Sequence, residues 1–200
     1  TKRITSTQSF TVPADVTSVN LILCGGGSGG SVDSIGGGGG GGSVYESSGL
    51  AVTAGASYTI TIGAGGPSRP ANTQATGRDG NPSSFGSLFI AETIYFSTNQ
   101  RRTGKVGSGL GGSGGSRDSS GSIQDGLPGA FGLGGGGGNG SSSAEPRSGA
   151  TNGGGVGSLA GEAAQNGVIN TGGGGGGSVT AIASGSGGSG VCIIKYWSAL

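Results

Sequence analysis

Residues 36–42 are seven consecutive glycines, and they run through Ser43 straight into an alternating, strand-like segment, VYESSGL, with no linker between the two. Glycine loses more backbone entropy on ordering than any other residue, so such a run is a flexible spacer unless something specific holds it. Glycine tracts recur at 25–30, 63–66, 107–115, 134–138, 153–157, 172–177 and 185–190, separated by segments of no common motif. Whatever holds one must hold them all.

Composition gives two conflicting expectations. With 54 Gly and 6 Pro in 200 residues, the chain falls among aperiodic low-complexity sequences. Disorder of that kind usually carries a large net charge, whereas here ten basic residues face nine acidic ones and the balance is +1. The apolar residues are also concentrated in 10–24, 44–62, 85–96 and 191–197. An ordered sheet protein with glycine inserted into it accounts for both facts, and the spread of the apolar segments from end to end favours one domain over 1–200. The near-neutral charge argues against nucleic acid as a partner. Six basic residues (Arg69, Arg78, Arg101, Arg102, Lys105, Arg117) do lie between 67 and 117, either on solvated loops or on a binding surface. No run of eighteen apolar residues exists, so no membrane insertion is expected.

In FTVPADVTSVNLILC, Val19, Leu21 and Leu23 alternate with Asn20, Ile22 and Cys24, the period of a strand. GLAVTAGASYTITIG has the form of a hairpin with Ala54 and Gly55 in the turn, Tyr58, Ile60 and Ile62 on one face and Thr59 and Thr61 on the other. SSFGSLFIAETIYF is a further strand candidate, and VCIIKYW the last, its Ile194 and Tyr196 offering the partner face that Val19, Leu21 and Leu23 need. No stretch has helical periodicity, so essentially no α-helix is expected. Cys24 and Cys192 close the first apolar segment and open the last; free buried thiols are favoured over a disulfide, since two cysteines make no scaffold.

The extended helix with three residues per turn makes no internal hydrogen bonds, so its N–H and C=O groups point outward and must be met by neighbours if it is buried. Chains without side chains approach closely enough to do that on several sides at once. A net hydrogen bond contributes about 0.5–1.5 kcal/mol while ordering a residue costs about 1–2 kcal/mol, so one or two such helices cannot stand. A bundle of polyglycine II helices can, stacked beside a small sheet sandwich. Collagen is excluded, because its triple helix needs glycine strictly every third residue and abundant proline.

Catalytic chemistry is thinly represented. There is no histidine, hence no common general base or imidazole ligand. GxSxG at 26–30 and 111–115 is the chance product of abundant glycine and has no histidine to complete a triad. Lys105 is followed by Val106, which rules out a P-loop, and the aspartates lie apart in turns. Neither an enzyme, a cofactor nor a metal site is expected.

FTVPADVTSVNLILCGGG, the glycine run into Tyr45, LAVTAGASYTITIGAGG, NPSSFGSLFIA and the closing GVCIIKYW together resemble the glycine-rich domain at the receptor-facing ends of bacteriophage tail fibres and tail tips. The shared order covers both ends and the first half of the chain. The remaining tracts and unlike spacers resemble the adhesins of T-even-like phages, and the whole is similar to the glycine-rich extracellular region of the anaplastic lymphoma kinase class. These resemblances imply a jelly-roll-like antiparallel β-sandwich carrying polyglycine II helices. They also imply a place at the C-terminal tip of a longer fibre protein, on the virion, attached to a fibre shaft protein as a homotrimer and facing a bacterial outer-membrane protein or surface glycan.

On that reading recognition sits in the connections, where aromatic and arginine residues favour binding. Thr93 to Lys105 is the best segment, with Tyr95, Phe96, Arg101, Arg102 and Lys105, although Tyr95 and Phe96 equally suit an inward-packed continuation of the strand. Arg117, Phe131 and Arg147 are the further candidates. The competing readings are a purely structural or ice-binding glycine protein, which calls for short, similar, polar connections, and an extracellular ligand-binding domain of a receptor.

Overall fold

A computed structural model of the chain describes residues 1–91, 111–117, 123–141, 150–159 and 161–198. Its strands in chain order are β1 (Lys2–Ile4), β2 (Gln8–Thr11), β3 (Ser18–Cys24), β4 (Val32–Asp33), β5 (Val44–Ala51), β6 (Ser57–Thr61), β7 (Ser83–Phe85), β8 (Phe89–Ala91), β9 (Ser116–Arg117), β10 (Ile123–Gln124), β11 (Ser178–Val179) and β12 (Val191–Lys195). Eight of them form two four-stranded antiparallel sheets, β1-β12-β3-β5 and β2-β6-β7-β8, packed into a sandwich. Alternation in β3 buries Val19, Leu21 and Leu23 against Phe10, Ile60 and Phe85 of the opposite sheet. The first and last apolar segments pair as neighbours, with Leu21 opposite Ile194, as their complementary faces require.

Two strand readings change. Gly49 to Gly63 is not a hairpin: β5 pairs with β3 in one sheet, while β6 pairs with β2 and β7 in the other. The turn at Thr53–Ala56 forms, with Gly55 at φ +72°, but it hands the chain across the sandwich and is tied to Val12 through Gly55 N–H to Val12 C=O (3.0 Å) and Val12 N–H to Ala56 C=O (2.9 Å). A turn fixes a local reversal, and distant partners decide which sheet each arm joins. SSFGSLFIA is two strands rather than one, because Gly86 takes φ +52° and Leu88 N–H closes a turn on Phe85 C=O.

The glycine tracts emerge from one end of the sandwich without a break in the chain's direction. β3 runs into 25–31, 36–43 runs into β5, and 184–190 runs into β12. Strand neighbours stay neighbours, since Gly25 N–H bonds Ser43 C=O beyond β3:β5 and Gly27 N–H bonds Gly188 C=O beyond β3:β12. Donors in 25–32 then rotate by thirds of a turn. Gly25, Ser28 and Ser31 donate to Ser43, Gly40 and Gly37; Gly26, Gly29 and Val32 to Asn81, Arg78 and Ala75; Gly27 and Gly30 to Gly188 and Gly185. Three residues per turn with outward bonds is the polyglycine II helix.

The 172–178 tract is the axis of the bundle. Carbonyls of Gly172 through Gly177 accept in turn from Gly42, Gly188, Gly155, Gly39, Gly185 and Ser158, while amides of Gly174 through Ser178 donate to Gly135, Ser28, Gln165, Gly138 and Ser31. Every residue is bonded, and from Gly172 through Gly177 no direction is left for a side chain. A Cβ on Gly174 would be driven into the Gly39 carbonyl, and one on Gly173 into that of Gly153.

Boundary helices escape that constraint on their open sides. The 75–81 segment, ATGRDGN, keeps glycine only at 77 and 80, the positions that press on 25–30, and turns Arg78 outward. Residues 165–168 (QNGV) likewise join the lattice with a single glycine. Neither reads as a glycine tract in the sequence.

Candidate functional site

Chain direction places the connections. The 134–141, 153–158 and 172–178 helices run parallel, Gly138 and Ser141 donating to Gly155 and Ser158 and Gly174 and Gly177 to Gly135 and Gly138. All three start at the sandwich end, where Gly172 meets Cys24 and Gly42, and finish at the distal end. A seven-residue helix at about 3.1 Å per residue puts these ends roughly 20 Å apart.

The described distal connections are 32–35, 67–76, the paired strands β9 and β10, residues 161–164 and 179–184. Three of them are knitted into one cap. β4 and β11 pair in parallel through Val32 with Ser178, Val32 bridges Ala75, Asn72 N–H bonds Thr180 C=O (2.5 Å), and Ser184 N–H bonds Arg69 C=O (3.1 Å). Within the cap, Thr73 Oγ1 donates to Pro70 C=O (2.6 Å) and Ser178 Oγ to Ile182 C=O (2.6 Å). Ser34, Asn72, Gln74, Arg78 and Ala181 face solvent from this end.

The structure separates the two candidates it describes. Arg117 lies in β9 opposite Ile123, just past Gly115 and therefore distal. Phe131 lies in a single 3-10 turn (Ala130–Gly132) at the sandwich end, half exposed at φ +55°, beside Leu133, which is buried with Cys24, Val44 and Val191. Tyr95, Phe96, Arg101, Arg102, Lys105 and Arg147 fall outside the described residues. The residues flanking the first five, Ala91 and Gly111, sit at the sandwich end beside Gly25 and Gly134. Arg69, which sequence reasoning counted only as one basic residue among six, is built into the cap. Its place shows only once 63–69 and 75–81 are recognised as paired helices.

Both thiols are free and buried. Cys24 is opposite Val191 and Cys192 opposite Leu23, so their side chains project to opposite faces of the sheet, and the sulfurs cannot meet. Burial pushes each thiol up to about 12, which leaves no thiolate to act as a nucleophile near neutral pH. Among the described residues no group of three metal-ligating side chains comes together.

No curated protein matches this chain. The features that build the fold run from β1 to just beyond β12, and over the same span, residues 3–197, the chain matches the model of the glycine-rich domain. It belongs to that family.

Proposed function

We propose that the chain is a receptor-binding adhesin at the tip of a bacteriophage tail fibre, gripping a bacterial outer-membrane protein or surface glycan through its distal connections. The observation that carries this reading is the separation of scaffold from variety. Main-chain bonds around 172–178 fix the helices without side-chain packing, and the connections they present at one end are unlike in length and sequence. Recognition placed on loops over a rigid frame follows the same logic as other binding loops. The sandwich end, where β1 pairs with β12, is the natural side for a fibre shaft protein and a trimeric arrangement.

The test is binding of the fluorescently labelled chain to a panel of intact bacterial strains that differ in outer-membrane proteins and surface glycans. Saturable binding to a subset, lost when one surface component is deleted, is expected. Replacing Arg117, the candidate on distal β9, with alanine is expected to reduce it at least tenfold without altering the melting temperature. Uniform absence of binding across the panel overturns the reading.

A further inference from the structure

The distal cap carries Arg69, and the helix packed beside it carries Arg78. In the ascending segment Gly63, Gly66 and Arg69 recur at intervals of three on the side facing 75–81, and the first two press on the Asn81 and Arg78 carbonyls. At the third, past the end of the lattice, there is room for a side chain. Arg69 uses it to lay Nε on the Thr76 carbonyl at 2.6 Å. Ser184 holds its backbone from both directions, Oγ accepting from Arg69 N–H at 2.8 Å and N–H donating to Arg69 C=O at 3.1 Å. Arg78, two residues beyond Thr76, faces solvent.

The two charges feel each other: the Arg69 pKa is lowered, first by burial and then by Arg78. The hydrogen bond that holds the Arg69 side chain goes to a main-chain carbonyl, which is neutral and leaves the guanidinium charge in place. Asp79, next to Arg78, accepts from Ser28 Oγ at 3.4 Å on the side toward the bundle. Like charges on neighbouring segments favour an anion between them, and the guanidinium fork fits the oxygens of phosphate in pairs. A phosphate monoester, with close to two charges and three acceptor oxygens, can engage both forks where a carboxylate serves one.

We propose that Arg69 and Arg78 form a subsite for the phosphate group of a surface sugar, an assignment that rests on the adhesin reading. Glucose 6-phosphate, glucose and inorganic phosphate are the probes, titrated into the full chain while the arginine Nε–H signals are followed by NMR. Glucose 6-phosphate is expected to shift both arginines and glucose neither, and Arg78→Gln is expected to weaken binding at least tenfold with the melting temperature unchanged. Absence of any shift, or full affinity in Arg78→Gln, overturns the subsite. Inorganic phosphate binding as tightly as glucose 6-phosphate overturns the sugar assignment. If wild-type chain and Arg78→Gln bind cells equally, the subsite falls and the adhesin reading stands. If glucose 6-phosphate binds and no cell does, the subsite stands and the adhesin reading falls.

Discussion

Gly174 and Gly161 are the same residue type in opposite circumstances. At Gly174 a Cβ meets the backbone of a helix that is itself enclosed, so nothing can move aside without breaking other bonds. At Gly161 nothing lies within 4 Å, and only the φ of +83° resists a side chain. Gly39→Val or Gly174→Val should therefore cost more than about 4 kcal/mol and unfold the domain, the scale reserved for disrupted cores and backbones. Gly161→Ala should cost about 1–2 kcal/mol, the penalty of a left-handed conformation. Thermal melting of the three variants is the check, and equal melting temperatures for wild type and both valine variants would refute the lattice as the source of stability.

At the scale of the element, the join between strand and glycine helix needs its own fastening. Sheets lie about 10 Å apart where side chains fill the gap, but glycine helices must come within hydrogen-bond reach. Ser83, fully buried at that seam, donates its Oγ to Cys24 C=O (2.7 Å) and accepts from Gly63 N–H (2.9 Å), linking the ends of β3 and β6 across the two sheets. Ser83→Ala leaves the buried Gly63 N–H without its acceptor and removes one of the bonds to Cys24 C=O, and at about 1–3 kcal/mol for a buried group left unmet it should destabilise by about 1–3 kcal/mol in a urea titration. No sequence signal marks Ser83. Legible beforehand were β3, β12 and their pairing, because apolar alternation needs a matching face, and the contiguous tracts, because an enclosed helix admits only glycine. Hidden were the switch of sheets at Gly55, which distant pairing decides, and the 75–81 helix, whose open sides free it from the glycine rule. The same gap hid Arg69, since its role follows from a helix pair that the sequence does not announce.

The whole molecule has two interiors of different chemistry. One is the apolar filling of the sandwich, around Leu21, Ile60 and Phe85, and the other is a peptide-on-peptide lattice around 172–178. Exposing apolar surface raises the heat capacity on unfolding and exposing polar surface lowers it, with an average near 12–15 cal/mol/K per residue. This chain should fall well below that average in differential scanning calorimetry, and a value inside the range would mean that side-chain burial, not the lattice, dominates folding. The continuity of β3, β5 and β12 with the helices has a mechanical meaning as well. A pull between the distal cap and the far end of the sandwich runs along unbroken extended chains, while the bonds that join those chains lie crosswise to the load. They are strained in shear together, not peeled apart in turn, so the domain meets tension between cap and sandwich as a stiff rod.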